Sequence, residues 1–253
     1  MNNKHTKTII TCLVVFSMLG LANFALADSH TPDQPIVPAI SLPEKAKTEA
    51  TPATLKTEKQ LVKILRQGQR LINERLKALN GLNKQINKSN LTTDQKNNLS
   101  GLTNQQIKDL TALGNKIKVD TDINTVKAEV KSIYESYRIF AVYIPKTRLM
   151  MSIYTQQNHL NKLDDYFSKI QTKINQAKAK GKDVAVRQKA LDDAKSMVPN
   201  VKVKIDSTLN ALSALKPADY SVASKRIISD TNKNLKEIHA MFVKLNQTLG
   251  GAK

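Results

Sequence analysis

Few side chains in this sequence have the type and spacing that chemistry requires. Two histidines fall in the helical part of the chain, His159 and His239, and neither has a second His or Cys at the spacing of a zinc site. The acidic pairs Asp164-Asp165 and Asp192-Asp193 are adjacent on predicted helices, where neighbouring side chains point about 100° apart and do not converge as acid and base. No nucleophile motif, phosphate-binding glycine loop or Cys–His pair is present. The sequence therefore predicts a protein that is not an enzyme and needs no metal or cofactor.

The same acidic residues have a structural explanation. Asp165 is placed to pair with Lys169 one helical turn later, and Asp192 with Lys189 or Lys195. We expect both acidic pairs to offset nearby lysines.

Aromatic residues are concentrated in one stretch, residues 126–154. Aromatic side chains bury the most surface per residue, so we expect the core to be thickest here. Tyr137, Phe140 and Ile144 repeat at the spacing of a buried helical stripe, which favours a core role over the alternative, stacking of bases or sugars. The predicted interaction or structural hub consists of Tyr134, Tyr137, Arg138, Phe140, Tyr143, Pro145 and Arg148. Its two arginines are expected to lie over ring faces as cation–π partners.

The charge is strongly basic, with 40 Lys+Arg against 21 Asp+Glu and a formal net charge of +19. This excess favours an anionic partner, although solubility alone would also explain it. Most of the cations are lysines, whereas bidentate recognition of phosphate favours arginine, and no run of five like charges forms a nucleic-acid-binding arm. We therefore expect an anionic envelope polymer or a protein partner rather than nucleic acid.

The N-terminus has the features of a secretory signal peptide over residues 1–27. Lys4 and Lys7 precede an apolar run, and Ala25-Leu26-Ala27 provides a small-x-small cleavage site. The alternative, an uncleaved anchor, is disfavoured because the apolar run is short for a membrane span. The single cysteine, Cys12, lies inside this leader, so the mature chain has no thiol for a disulfide or a metal site.

Residues 28–53 contain five prolines and are predicted to form a disordered, polyproline-like linker. No later stretch is apolar enough to span a membrane. We expect a protein that is exported to the periplasm or the exterior and is then free or held by a partner.

From Thr57 onward, apolar residues recur every three or four positions, as in amphipathic helices. Thr92 with Gln95 fits a capping box, and Pro145 predicts that a helix bends or restarts near Ile144. The sequence predicts an all-α fold of about six helices, an elongated bundle of coiled-coil hairpins. We expect two three-helix halves joined near Pro145, residues 54–144 and 145–249.

Two resemblances follow from these motifs. Leu91-Thr92-Thr93-Asp94-Gln95 is similar to the Leu-Thr-x-x-Gln motif of the periplasmic Spy and CpxP chaperone family, which carries the motif twice where this chain has it once. The order of features along most of the mature chain resembles that of uncharacterised exported all-helical bacterial proteins. That second resemblance is carried by Asp120–Asp122, Tyr137-Arg138-Ile139-Phe140, Pro145-Lys146 and Gly181-Lys182-Asp183-Val184.

These observations lead to two functional hypotheses. The first is an exported, non-enzymatic helical binding or scaffold protein, associated with the cell envelope through basic helical faces. The alternative, implied by the Spy resemblance, is a periplasmic holdase that shields unfolded clients. Binding by charge should weaken steeply with salt, whereas a holdase also uses exposed apolar surface and should keep its binding.

Overall fold

The computed structural model describes residues 52–251 of the chain. Helices account for 91% of these residues, and no strand occurs among them. The predicted all-α class is therefore confirmed. The predicted leader and nearly all of the predicted linker lie outside the described residues.

Seven α-helices follow one another, and their bounds are α1 Pro52–Lys88, α2 Thr93–Val119, α3 Ile123–Ser132, α4 Ile144–Asn161, α5 Leu163–Ala179, α6 Ala185–Ala214 and α7 Val222–Gly251. Two short π-helices, Ile133–Tyr137 and Ile139–Tyr143, connect α3 to α4. A 3₁₀ turn, Pro217–Asp219, lies between α6 and α7.

Counted as continuous helical spans, the described elements number five, where the sequence predicts about six. The elements from α3 to α5 form one span, with single-residue interruptions at Arg138 and Lys162. As predicted, a new α-helix begins at Ile144. Pro145 does not break the longer helical span, because it lies in the first turn of α4, where the missing N–H of a proline would have no partner within the helix.

The described residues fall into two units, residues 52–63 and residues 64–251. Within the first unit, the described residues 52–63 are helical, and the side chains of residues 56–60 are exposed. The second unit contains the remainder of α1 and all later helices.

Local capping interactions set several helix ends. The Gln95 N–H donates to Thr92 Oγ1 at 3.3 Å, and the Thr92 N–H donates to Gln95 Oε1 at 3.0 Å, so the predicted capping box is present at the start of α2. At the start of α3, Asp122 accepts a hydrogen bond from the Thr125 N–H at 2.7 Å. The Thr125 hydrogen bonds hold the pKa of Asp122 below its usual range.

Two glycines allow close packing in the first part of the second unit. A Cβ at Gly68 of α1 would lie 2.8 Å from Val130 Cγ2 and 3.1 Å from Ile117 Cγ2. A Cβ at Gly114 of α2 would lie 3.0 Å from Ile72 Cγ2. Glycine at these two positions lets branched side chains reach the neighbouring backbone, which close-packed interiors favour.

The later helices form a second packed group. α6 packs against α7 and α4, and α4 also packs against α7. α5 lies against α6 and α4. The fully buried residues include Ile153 of α4, together with Leu191, Ile205 and Leu212 of α6 and Ile238 and Leu245 of α7. These residues recur at helical spacing, which is why the hydrophobic pattern predicts their burial.

Candidate functional site

The predicted hub coincides with the least regular backbone in the described chain. The two π-helices lie on either side of Arg138, whose φ of 37° and ψ of 45° place it in the left-handed region. It is the only non-glycine residue with positive φ among the described residues. Such a conformation costs about 1 kcal/mol or more and clusters at functional or tightly determined positions.

Pro145 accounts for part of this irregularity. A proline has no N–H to donate to the carbonyl four residues earlier, Ala141, and its ring crowds that carbonyl. The π-helix at Ile139–Tyr143 changes the backbone hydrogen bonding just before Pro145, so that Tyr143 N–H donates to the Arg138 carbonyl at 3.3 Å. A π-helical turn contains one more residue than an α-helical turn. The buried positions that follow it are therefore displaced from those of a regular α-helix.

Because of this displacement, the buried residues differ from the predicted core stripe of Tyr137, Phe140 and Ile144. Ile144 is buried as expected, but Tyr137 is only half-buried and Phe140 is 52% exposed. Ile139 and Val142 are buried instead, each fully. The prediction was wrong for Phe140 because it assumed an unbroken period of 3.6 residues.

Tyr143 is the hub aromatic that enters the core. Its hydroxyl lies 3.2 Å from Thr103 Oγ1 of α2, and the Thr103 hydroxyl itself donates to the Leu99 carbonyl at 2.7 Å. Tyr143 is therefore the donor in the first of these bonds. Burial raises the pKa of Tyr143, which keeps the hydroxyl protonated.

Tyr134 and Phe140 form an exposed aromatic pair around a buried arginine. The two rings are 46% and 52% exposed, and the Arg75 guanidinium carbon lies 5.0 Å from the Tyr134 centroid and 5.4 Å from the Phe140 centroid. Arg75 is only 6% exposed, and its Nη1 donates to the Leu71 carbonyl at 3.0 Å. Desolvation by burial lowers the pKa of Arg75, although a guanidinium remains charged. We name Arg75, Tyr134 and Phe140 the arginine–aromatic cluster.

Arg138 makes the second cation–π contact of the hub. Its guanidinium carbon lies 4.8 Å from the ring centroid of Tyr220, and Lys225 Nζ lies 5.4 Å from the same centroid. This contact attaches the π-helices to the segment before α7 and helps to hold the left-handed backbone. Arg148 is half-exposed and lies over none of the rings in the described part of the chain.

Sequence reasoning missed Arg75, the partner of Tyr134 and Phe140, and Tyr220, the partner of Arg138. Both lie on other elements, and each contact depends on how those elements pack. The only sequence feature that could have indicated these contacts is residue type, because arginine and tyrosine are residues that make cation–π pairs.

Lys146 follows Pro145 and holds the end of another helix. Its Nζ donates to the carbonyls of Ser213 and Leu215, at 3.0 and 2.6 Å, where α6 ends. A cation at a helix C-terminus interacts favourably with the unpaired carbonyls there. Burial lowers the pKa of Lys146. The role of this lysine is structural, because its charge is directed into the protein.

His159 and the acidic pair Asp192-Asp193 make local contacts within the structure. His159 contacts Phe242 edge-on at 6.4 Å between centroids, and burial followed by the charge of Lys162 lowers its pKa. Lys189 pairs with Asp193 at 3.0 Å rather than with the predicted Asp192. Within residues 52–251, no group of three or more His, Cys, Asp or Glu side chains could hold a metal ion.

One further buried acid has a structural role. Glu129 of α3 is 7% exposed, and its Oε1 lies 2.9 Å from Lys116 Nζ of α2. The hydrogen bond to Glu129 raises the pKa of Lys116. The pair connects α2 to α3 and is not part of the hub.

A groove of about 610 Å³ lies between α5 and α6, next to Pro199. Its apolar lining includes Phe167 and Val198. Among its polar side chains, Gln171 donates to Gln188 at 2.8 Å and Thr172 donates to the Ser168 carbonyl at 2.9 Å. The charged side chains Asp164 and Lys195 line the groove as well.

None of the described helices combines the length and the apolar character that crossing a bilayer would require.

Comparisons of the chain with models of protein families, with curated proteins and with solved structures give no match. The resemblances to Spy-like chaperones and to exported helical bacterial proteins therefore stay predictions.

Proposed function

We propose that this chain is an exported, non-enzymatic helical binding protein that associates with the cell envelope through basic helical faces. The observation that carries the proposal is the excess of exposed cations without acidic partners. The ion pairs of the described residues engage seven basic side chains, and five of these pairs join residues one turn apart on the same helix. Residues 52–251 contain 35 of the chain's 40 Lys+Arg.

Unpaired lysines on the helix surfaces support attraction to an extended anion. A lysine is a strongly hydrated point charge on a flexible stem and selects its partner weakly, so its main effect is a positive field. The fitting partner is an anionic polymer or surface of the envelope. The predicted signal peptide, residues 1–27, would bring the protein to this partner, and the predicted linker, residues 28–53, would give it reach.

Binding to a soluble anionic polymer tests this proposal. Fluorescence anisotropy of labelled polyphosphate should report binding that weakens at least about tenfold between about 50 and about 500 mM salt, because counterion release and screening control the affinity. Neutral dextran of similar length serves as the control and should not bind. Polyphosphate affinity that does not change with salt would contradict the proposal.

A second function, a holdase for unfolded clients, is favoured by one observation. Tyr134 and Phe140 expose about half of each ring at one place on the surface. Exposed apolar patches are interaction sites when they are contiguous, and a client segment could pack on these rings.

Suppression of client aggregation distinguishes the two functions. A holdase should keep reduced, unfolding lysozyme in solution at high salt, and the double variant Tyr134→Ser, Phe140→Ser should lose this effect. The control variant Val119→Ser, Val222→Ser removes apolar side chains that are 77% and 84% exposed elsewhere on the chain. Equal activity in both variants would rule out the arginine–aromatic cluster as a client site.

A further inference from the structure

The turn between α5 and α6 carries a cluster of exposed cations that form no ion pair among the described residues. We name its four exposed cations the basic tip: Lys178, Lys180, Lys182 and Arg187. None of the four takes part in the ion pairs of the described residues. The acid nearest to them in the chain is Asp183.

Asp183 is occupied by a local hydrogen bond. Its Oδ1 accepts from the Ala185 N–H at 3.0 Å, in the turn that starts α6. The next acids along α6 are Asp192 and Asp193, and Asp193 already pairs with Lys189. This hydrogen bond leaves the charge of Asp183 in place, so residues 178–187 carry four cations against one acid, a net charge of +3.

Backbone hydrogen bonds hold the turn in a defined shape. Gly181 has a φ of +73°, the Lys182 N–H donates to the Ala177 carbonyl at 3.1 Å, and the Gly181 N–H donates to the Lys178 carbonyl at 2.9 Å. This is the Schellman arrangement that ends many helices. A formed turn keeps the cations together at the end of the α5–α6 hairpin, so less conformational entropy is lost on binding.

An apolar side chain stands among these cations. Val186 is 75% exposed and directly precedes Arg187. The combination of lysines with one projecting aliphatic residue suits a lipid surface, where the cations meet anionic headgroups and the valine enters the interfacial layer. A soluble polyanion would use the cations and gain nothing from the valine.

We infer that the basic tip, with Val186, is a contact site for the anionic lipid headgroups of a membrane surface. The inference rests on the proposed function, since it names the part of the chain that meets the envelope and the chemistry that it meets. Lysines near an anionic leaflet each strengthen binding by about fivefold, so four cations are enough for a measurable surface affinity.

Vesicle co-sedimentation with two charge-matched variants tests the inference. The vesicles contain phosphatidylcholine with about 30% phosphatidylglycerol, and vesicles of phosphatidylcholine alone are the neutral control. The tip variant carries Lys178→Gln, Lys180→Gln, Lys182→Gln and Arg187→Gln. The matched control variant removes four exposed cations elsewhere in the second unit, Lys77→Gln, Lys84→Gln, Lys118→Gln and Lys127→Gln.

We expect the tip variant to lose at least about tenfold in affinity for anionic vesicles, and the control variant to lose less than about threefold. The single variant Val186→Asn should weaken vesicle binding by about threefold and leave polyphosphate binding unchanged, because only a bilayer offers an apolar layer. Equal losses in the two charge variants would overturn the inference, as would equal binding to neutral vesicles. Loss of polyphosphate binding in the tip variant, with no effect of Val186→Asn on vesicles, would replace the lipid by a soluble polyanion and so overturn it too.

Failure of this inference can be told apart from failure of the proposed function. If wild-type protein binds polyphosphate with the expected salt dependence and the tip variant keeps its vesicle affinity, the proposed function stands and the lipid contact falls. If wild-type protein binds anionic vesicles through the tip but does not bind polyphosphate or envelope material, the lipid contact stands and the proposed function falls.

Discussion

Substitution of Gly68 by alanine should destabilise the second unit, although alanine is the better helix former. In a helix interior, alanine is favoured over glycine by about 1 kcal/mol. At Gly68 the added Cβ would stand 2.8 Å from Val130 Cγ2 and 3.1 Å from Ile117 Cγ2, about 0.5–1 Å inside an optimal carbon–carbon contact. Both neighbours are buried and branched, so neither can turn aside cheaply.

The magnitude follows from these two opposing effects. Overpacking of a close-packed interior costs about 1–3 kcal/mol, and the helix propensity of alanine offsets about 1 kcal/mol of it. We expect Gly68→Ala to lower the free energy of unfolding by about 1 kcal/mol. Gly81 is the matched control in the same helix, because an added Cβ there meets nothing within 4 Å. Gly81→Ala should raise the free energy of unfolding by about 1 kcal/mol.

Urea unfolding followed by circular dichroism at the helical band measures both variants, and thermal melts should separate them by about 4–8 °C. Gly114→Ala, whose Cβ would lie 3.0 Å from Ile72 Cγ2, should fall between the two. A Gly68→Ala variant as stable as Gly81→Ala would refute the packing argument, since it would mean that no close contact opposes the added methyl group.

Three further predictions concern single side chains. Thr92→Ala should lower the free energy of unfolding by about 1 kcal/mol, because the capping box of α2 is lost, while the neighbouring Thr93→Ala should change it by less than half as much in urea unfolding. Lys146→Met should lower it by about 1–2 kcal/mol, since the two carbonyls at the end of α6 lose a charged donor, and Lys162→Met serves as the exposed control. The pKa of His159 is lowered from its ordinary value of 6.5, so the unfolded chain binds that proton more tightly and stability should fall as the pH drops below 6.5. Unfolding curves of His159→Gln should lack this part of the pH dependence.

Each of these three predictions has a contradicting outcome. Equal effects of Thr92→Ala and Thr93→Ala would mean that the cap contributes nothing. A Lys146→Met variant of unchanged stability would mean that water replaces the lysine at no cost. A His159→Gln variant with the pH dependence of the wild type would assign that dependence to another group.

The parts of the fold that depend on local interactions could be predicted from the sequence. The capping box at Thr92 and Gln95 involves neighbouring residues, and both hydrogen bonds form as the spacing indicates. The restart of a helix at Ile144 follows from the geometry of Pro145 alone. Burial of the apolar stripes was predictable wherever the backbone keeps the period of an α-helix.

The candidate site was less predictable because its geometry depends on irregular backbone and on packing between helices. Phe140 was expected in the core, but the π-helices displace it to the surface and bury Ile139 and Val142. The burial of Arg75 against two rings and the contact of Arg138 with Tyr220 join distant parts of the chain, and no spacing rule encodes them.

Co-sedimentation with isolated cell-envelope material tests whether the protein binds the envelope through its basic helical faces. The chain from Asp28 onward, as the predicted cleavage would leave it, is mixed with envelope at about 50 and about 500 mM salt. We expect the protein to pellet with the envelope at the lower salt and to be released at the higher salt. Absence from the pellet at both salt concentrations, or retention that salt does not change, would contradict binding through basic helical faces.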